Sequence, residues 1–351
     1  MLQVPTLQLP SASSVFKVSP WRYAAPARLF RIAWRVFHIK IASLPTIAAA
    51  LLAFDLSAAP AQAGPNRTWV SGHGTDSGAC ALAAPCRTFA FALTQTAAGG
   101  EIDVLDPADY GTVTITKAIS VVNDGVGVAA IGASSGNAIT INAGTSDSIH
   151  LRGLTVEGLG GGANGILFNT GGNLAIENCV VRNFSNIGIG IIPSISSSFS
   201  VSNTIASNIG GGGIFVAPTG TGSAAVTGVL SKVTANNNGS GITVSGALAA
   251  SLNVTVVDSV ASNNHSFGVE AFSTFDGGAT AVIVRNVVAS NSPGSGLLAQ
   301  RSGILRVAHS VVTGNVTGVN ANGGTIFSYG DNDIDGNTNN NTSALTPLGM
   351  H

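Results

Sequence analysis

Charged residues are scarce in this chain of 351 residues: only 9% are Asp, Glu, Lys or Arg, and the 15 basic and 16 acidic side chains nearly cancel. A net charge near zero argues against a nucleic-acid-binding protein, which needs a surplus of basic side chains to neutralise phosphates. Three cysteines are too few for a small disulfide scaffold. Because 45% of the residues are hydrophobic, the chain can bury a large core, and this excludes disorder.

Residues 1–63 differ in composition from the rest of the chain, since they hold six of the basic residues and a single acid. Arg35 and Lys40 precede an apolar stretch of about 14 residues, Ile41–Phe54, and the segment ends in Ala61-Gln62-Ala63, a small-x-small pattern that signal peptidase accepts. A membrane-spanning helix needs about 20 apolar residues, so a cleaved leader is favoured over a retained anchor. We therefore expect export, to the periplasm, the cell surface or the medium, and no stable membrane span after cleavage.

The chain after residue 63 is mildly acidic, with 9 basic and 15 acidic residues. Residues 64–100 are expected to form an N-terminal loop and a capping helix. Cys80 and Cys86 lie close together in this loop, and in an oxidising compartment we expect them to form a disulfide that adds about 2 kcal/mol. Cys179 has no third partner and is interpreted as a packed thiol.

One short pattern returns from about residue 147 onward: an apolar alternation, a polar residue, a β-branched pair, Asn, and then Gly followed by Ile or Val. Clear copies are Val256–Asn263 and Val284–Asn291. The final positions, spaced 22 to 28 residues apart, are Gly158, Asn183, Asn208, Asn236, Asn263, Asn291, Asn315 and Asn337. Self-similarity at this period is typical of a solenoid, because each unit can bury its apolar face only against its neighbours.

The apolar positions of each unit are Val and Ile in alternation with polar residues, which predicts short strands rather than the helical segments of leucine-rich repeats. Strands stacked about 4.8 Å apart place equivalent residues above one another, so the amides of one column can hydrogen-bond along the axis, each bond adding about 1 kcal/mol. The predicted structural ladder consists of Asn183, Asn208, Asn236, Asn263, Asn291, Asn315 and Asn337. A column of glycines is expected to let the chain bend into the next strand: Gly165, Gly188, Gly213, Gly241, Gly268, Gly296 and Gly318.

This repeat resembles the right-handed parallel β-helix repeat of the pectin lyase-like superfamily, in particular its uncharacterised bacterial exported branch. The resemblance covers residues 101–337 and implies an all-β fold, a right-handed parallel β-helix (solenoid) of about ten turns. Members of the superfamily commonly carry a short capping α-helix. A helical spacing of i, i+3, i+4 and i+7 within residues 88–97 predicts one here, formed by Phe89, Ala92, Leu93 and Thr96. Residues 338–351 lack apolar periodicity and are expected to form a polar C-terminal tail.

Enzymes with this fold need either calcium-binding carboxylates with an Arg or Lys base, or paired carboxylates for acid catalysis. Both arrangements require charges clustered on one outer face. The candidate catalytic set is a patch in which Arg285, His309 and Asp331 are expected to stack, with Asp258 diagonally near. The competing interpretation is a row of solvated ion pairs between turns.

Two other motifs are weaker candidates. Asp103, Asp106 and Asp109 are close enough in sequence to bind calcium, but a solvated loop is the favoured interpretation. The tripeptide Gly72-His73-Gly74 also occurs in polygalacturonases, yet no paired Asp or downstream Arg-x-Lys accompanies it, so it is interpreted as a turn. No zinc spacing, phosphate loop or nucleophilic triad is recognisable.

The preferred functional hypothesis is an exported β-helix protein acting as a surface-associated, structural or carbohydrate-binding module without a complete catalytic site. Its expected partner is a polysaccharide or a cell-surface glycan. The alternative is a polysaccharide lyase, hydrolase or epimerase acting on uronate-containing glycans. No cofactor is expected, except calcium in the enzymatic alternative.

Overall fold

The computed structural model describes residues 64–220, 224–246, 251–274 and 279–349, so the targeting segment predicted for residues 1–63 lies outside the described residues. Within these ranges the chain forms one α-helix, α1 Phe89–Gln95, and 30 β-strands. The strands in chain order are β1 Arg67–Val70, β2 Gly100–Val104, β3 Ala108–Asp109, β4 Val113–Ile115, β5 Ile119–Val122, β6 Ala129–Ala133, β7 Gly136–Asn142, β8 Ser148–Arg152, β9 Leu154–Gly158, β10 Gly162–Thr170, β11 Asn173–Glu177, β12 Val180–Arg182, β13 Ile187–Ile191, β14 Ser197–Ser202, β15 Ile205–Ser207, β16 Gly212–Val216, β17 Ala225–Ser231, β18 Thr234–Asn236, β19 Ser240–Ser245, β20 Ser251–Ser262, β21 Phe267–Ser273, β22 Ala279–Ser290, β23 Ser295–Arg301, β24 Ile304–Ala308, β25 Val311–Thr313, β26 Thr317–Asn322, β27 Thr325–Ser328, β28 Asp333–Ile334, β29 Asn339–Asn341 and β30 Thr346–Pro347. None of the described residues form a helix with the length and hydrophobicity that a membrane crossing requires.

The strands stack into three faces, and each strand pairs in parallel with the equivalent strand of the next turn. Face 1 contains β1, β2, β5, β8, β11, β14, β17, the first parts of β20 and β22, β24, β27 and β30. Face 2 contains β3, β6, β9, β12, β15, β18, the last parts of β20 and β22, β25 and β28. Face 3 is a separate sheet of ten strands, β4, β7, β10, β13, β16, β19, β21, β23, β26 and β29. The prediction of an all-β parallel β-helix is confirmed, and connections between parallel strands are right-handed in nearly all proteins.

The coil is longer at both ends than the sequence predicts. β1 pairs with β2, so the first strand lies inside the segment assigned to the N-terminal loop. At the other end, β29 and β30 continue face 3 and face 1 into the predicted polar tail, residues 338–351. These strands form without an apolar pattern, because backbone hydrogen bonds hold them and do not depend on side-chain polarity.

The N-terminal segment is fixed by the cap and a disulfide. Thr88 caps α1, its hydroxyl accepting a hydrogen bond from the backbone N–H of Phe91 at 3.2 Å, and the helix buries Phe89 and its neighbours against the first turn. Cys80 and Cys86 form a disulfide with their Cα atoms 4.8 Å apart. Cys179 is a buried free thiol, and burial raises the pKa of this thiol to about 11.

Inward-facing Ile, Val and Leu side chains from all three faces fill the coil, and most of them are completely buried. In strand β20 the alternation is visible directly, since Leu252, Val254 and Val256 are buried while Asn253 between them is exposed. This period of two places every second residue of a face 1 strand on the outside, where a ligand can reach it.

The chain turns the corners of the coil through single residues in the left-handed conformation. Between faces 1 and 2 these residues are Gly153, Asn178, Asn203, Lys232, Asp258, Asn286 and His309, with φ between 46° and 71°. After face 2 they are Asn183, Asn208, Asn237, Asn263, Asn291, Gly314 and Gly336, with φ between 54° and 68°. Asn and Gly tolerate this conformation best, so the recurring Asn of the repeat is explained first by backbone geometry.

This geometry changes the predicted Asn column. Asn183, Asn208, Asn263 and Asn291 occupy the second left-handed corner, and their side chains are exposed. Asn236 lies one residue before the corner, because its partner in the next turn is Ser262. Asn315 and Asn337 lie one residue after it, because Gly314 and Gly336 take the corner positions. The units differ in length, so a column aligned by sequence slips by one residue.

The hydrogen-bonded amide column of the structure lies one residue beyond this corner, inside the coil, and we call it the buried amide column: Asn238, Asn264 and Asn315, with Ser292 in the same column and the partly buried Asn337 at its end. The Asn264 carbonyl oxygen accepts from the backbone N–H of Asn238 at 3.1 Å, and its amide donates to the carbonyl of Ala235 at 3.0 Å. Asn238 and Ala235 both belong to the preceding turn, so the Asn264 side chain holds its own turn to the one before it.

The glycine column of the repeat faces this amide column. At Gly241 a Cβ atom would lie 2.7 Å from the amide nitrogen of Asn264, and at Gly296 it would lie 2.6 Å from that of Asn315. Neither glycine has a positive φ. The predicted bending role is therefore replaced by a steric one, because these positions must leave room for a buried amide.

Candidate functional site

The four predicted catalytic residues lie at the corner between faces 1 and 2, in the last third of the coil. Asp258 and His309 are left-handed corner residues, and Arg285 is the face 1 residue just before the corner of its turn. Asp331 lies one turn beyond His309. Strand stacking thus brings these residues to one edge, because each occupies an equivalent or adjacent position of its turn.

At this edge the side chains form two separate pairs. The Asn286 amide donates to the Asp258 carboxylate at 2.7 Å. His309 Nδ1 lies 3.1 Å from a carboxylate oxygen of Asp331, whose other oxygen accepts from the His309 backbone N–H. Arg285 has no acidic side chain within 4.0 Å among the described residues.

The two carboxylates are widely separated along the coil axis. Asp258 and Asp331 lie three turns apart, which corresponds to about 14 Å at 4.8 Å per turn. Paired carboxylates of glycoside hydrolases lie roughly 5–9.5 Å apart. The backbone spacing therefore does not support an acid–base pair made of these two residues, whereas a mechanism with a single base at Arg285 stays a prediction.

Next to this corner, the outer surface of face 1 carries a shallow groove of about 440 Å³. Its axis is a column of outward side chains on five consecutive turns, Val229, Thr255, Ile283, Arg306 and Phe327. Val229 and Ile283 are 42% and 43% exposed. We call this surface the axial groove, because it runs along the stacking direction of the strands.

Arg306 lines the axial groove and is held there by an aromatic ring. Its guanidinium lies over the ring of Phe327, 5.4 Å from the ring centroid, a cation–π contact. Ile283 pairs with Arg306 while Arg285 pairs with Ala308, so the two arginines are diagonal neighbours with Cα atoms about 8 Å apart. Like Arg285, Arg306 has no acidic side chain within 4.0 Å in the described part of the chain.

The groove also carries uncharged polar groups that are open to a ligand. Thr227, Asn253 and Thr255 line it, and none of these side chains makes a hydrogen bond to the described residues. Hydroxyl and amide groups both donate and accept hydrogen bonds. The axial groove therefore combines one unpaired cation, Arg306, with apolar side chains and free polar groups, and a second unpaired cation, Arg285, lies beside it.

Sequence reasoning found Arg285 but missed Arg306 and Phe327. The reason is the short unit that follows Asn291, which shifts the alignment of its strand by one residue and placed His309 above Arg285. The strand Ile304–Ala308 itself held the signal, because its alternation buries Leu305 and Val307 and so points Arg306 outward.

The acidic cluster near the cap is divided among separate roles. Asp103 pairs with Arg67. Burial acts to raise the pKa of Asp106, but hydrogen bonds from Ser71, Gly72 and Tyr110 outweigh it and lower this pKa to about 2. These bonds hold the Gly72-His73-Gly74 turn against the first turns of the coil. Across the described residues, no three His, Cys, Asp or Glu side chains are grouped as a metal site would require.

Comparison with known proteins gives one structural similarity. No family model matches the sequence, and no curated protein matches it. The crystal structure of pectate lyase Pel9A is similar, with a TM-score of 0.47 and 18% sequence identity, over 78% of this chain and 72% of that chain.

Proposed function

We propose that this protein is an exported β-helix module that binds linear, uronate-containing polysaccharide along the axial groove. The observation that carries the proposal is the pair Arg285 and Arg306, neither of which has an acidic side chain within 4.0 Å among the described residues. Arg306 lines a groove whose other lining side chains are uncharged, and Arg285 lies diagonally beside it. The chain after residue 63 is acidic overall, so unpaired arginines at neighbouring positions mark the site of an anionic ligand.

The chemistry of the groove fits a polymer of sugar acids. Guanidinium groups bind carboxylates through paired, charge-assisted hydrogen bonds. Val229 and Ile283 offer apolar contact to the C–H faces of sugar rings, and Asn253 can bond their hydroxyls. Because the groove follows the stacking axis, equivalent positions recur about every 4.8 Å, and an extended chain can contact several turns at once.

The expected export of the chain points to a glycan outside the cytoplasm as the partner. The Cys80–Cys86 disulfide is suited to an oxidising compartment, and the targeting segment predicted for residues 1–63 is consistent with that destination. An exported protein with an anion-binding groove meets cell-surface or environmental polysaccharides.

The test is binding of sodium polygalacturonate by purified protein, measured by isothermal titration calorimetry with and without calcium. We expect saturable binding that is about 10-fold weaker in Arg306→Gln and in Arg285→Gln, since each loses a charge-assisted hydrogen bond. Arg301→Gln is the matched control, because Arg301 also lies over a phenylalanine ring, that of Phe272, but on face 3.

Equal affinity in all three variants, or equal binding of neutral dextran, would refute the groove assignment. The same incubations are assayed for new unsaturated and reducing ends. Their appearance would support the enzymatic alternative, unsaturated ends indicating a lyase and new reducing ends alone a hydrolase, whereas an epimerase creates no new ends. An Arg285→Lys variant that keeps turnover would then point to Arg285 as the base.

A further inference from the structure

A second cavity lies at the opposite end of the coil, between the cap and face 3. It has a volume of about 420 Å³ and is bounded on one side by Leu93 and Thr94 of α1 and on the other by strand β4. β4 is the first strand of face 3 and, among the described residues, pairs only with β7, so its outer edge borders the cavity.

One wall of this cavity is a row of threonines. Thr112, Thr114 and Thr116 alternate with Val113 and Ile115, which point into the core and are buried. The three threonines are exposed, and none of their hydroxyls makes a hydrogen bond to the described part of the chain. Such a row presents three groups, each able to donate and to accept a hydrogen bond.

A fourth hydroxyl extends the row onto the next turn. Thr140 is the partner of Thr114 in strand β7 and also lines the cavity. Its oxygen accepts a bond from the Asn137 amide at 3.3 Å, and Asn137 in turn accepts from Asn164 at 2.8 Å. The side-chain amide of Asn137 is therefore fixed in orientation by Thr140 and Asn164.

The single charge of the cavity wall is Lys117. This side chain is half-buried, and its ammonium group donates to the backbone carbonyl of Thr96. Burial lowers its pKa from the usual value. No acidic side chain lies within 4.0 Å of it among the described residues, so one ammonium group without a counter-ion faces the hydroxyl row.

We propose that this cavity is a binding site for a monomeric sugar acid, with Lys117 pairing the carboxylate and the threonine row bonding the ring hydroxyls. The volume lies in the range of small-molecule sites, about 300–1,000 Å³. Leu93 and Val113 also line the cavity, each with 6% of its surface exposed, so the walls that meet a ligand are mainly polar.

A free phosphate is a poorer fit to the same wall. Phosphate only accepts hydrogen bonds at its ionised oxygens, and protein sites for it use backbone N–H groups or several cations. This cavity has a single cation, and the oxygens of its threonine hydroxyls can also accept hydrogen bonds, which an ionised phosphate oxygen cannot donate. A hexuronate supplies one carboxylate together with several hydroxyls that donate and accept.

This site is independent of the axial groove, since it lies on another face and at the other end of the coil. Binding of D-galacturonate and D-glucuronate is measured by ligand-observed NMR and calorimetry, with glucose, acetate and inorganic phosphate as comparison ligands. We expect saturable uronate binding that weakens about 10-fold or more in Lys117→Gln. Thr114→Ala is a second, smaller change and should weaken binding about 3-fold.

Arg306→Gln and Lys117→Gln separate the two proposals. Loss of monomer binding in Lys117→Gln but not in Arg306→Gln supports the cavity, whatever happens to polygalacturonate binding. Acetate or phosphate binding as tightly as the uronates, or uronate binding that survives in Lys117→Gln and Thr114→Ala, overturns it. Circular dichroism of each variant verifies that the fold is retained.

Discussion

The buried amide column predicts a large difference between two adjacent asparagines. Asn264 is completely buried and makes two side-chain hydrogen bonds to the preceding turn, whereas Asn263 is exposed and occupies a left-handed corner with φ 54°. Replacing each with alanine therefore tests two different roles of the same residue type at consecutive positions.

The expected loss at Asn264 follows from its two hydrogen bonds. Asn264→Ala leaves the N–H of Asn238 and the carbonyl of Ala235 buried without these partners. An unsatisfied buried polar group costs about 1–3 kcal/mol, so the free energy of unfolding should fall by about 2–5 kcal/mol. Asn263→Ala should lose only about 1 kcal/mol, the strain of an alanine in left-handed backbone.

Urea unfolding followed by far-UV circular dichroism measures both losses, and amide hydrogen exchange locates them. In Asn264→Ala the N–H of Asn238 should lose protection, whereas that of Asn237, which bonds to the carbonyl of Ser262, should keep it. The control Asn263→Gly should restore the stability lost in Asn263→Ala, because glycine adopts the corner without strain.

Comparable losses at the two positions would refute the distinction between a corner residue and a ladder residue. So would unchanged exchange at Asn238 in Asn264→Ala. Either result would mean that the amide bonds within the coil contribute little, and that packing of Val and Ile alone holds the turns in register.

Two further changes test the same interior and the outer surface of face 3. Gly241→Ala places a Cβ atom 2.3 Å from the carbonyl oxygen of Gly268, so it should lower the free energy of unfolding by about 2 kcal/mol in the same urea titration. The control Gly349→Ala should be neutral, because no atom lies within 4 Å of the added Cβ. Burial raises the pKa of Glu270 to about 7, because the buried site favours the neutral carboxyl over the carboxylate. The stability that the neutral form contributes is fully present below the unfolded pKa of about 4.5 and is lost as the pH rises through 7. Glu270→Gln should therefore be more stable than the parent at pH 8, by up to about 3 kcal/mol, and equal to it near pH 4; a constant difference across this range would contradict the assignment.

The repeat alone predicts part of the axial groove and not the rest. Arg285 could be found as an outward charge because its unit keeps the regular spacing. Arg306 belongs to a shorter unit, and its place beside Arg285 depends on strand pairing across a turn whose length the repeat does not specify. A shift of one residue turns a side chain from the outside of a strand to the inside, so site residues are more sensitive to register than the fold is.

The fold class was decided by the sequence itself. In this sequence a β-branched alternation recurs every two dozen residues, with Asn or Gly between the strands. Stacking equivalent strands in parallel is the arrangement that buries the apolar side chains of every repeat. The proximity of Cys80 and Cys86 and the helical spacing around Phe89 were also local features. All of these depend on neighbouring residues and on a period, which a sequence displays directly.

Only the tertiary structure decided which asparagine is buried, which arginines share a groove, and where the cap leaves a cavity. Asn263 and Asn264 are both amides in the same repeat, and the corner conformation of one sends the other into the core. Lys117 and the threonines of β4 gain their common cavity from the position of α1. Such relations join residues from different turns, and they exist only once strand register fixes those turns against one another.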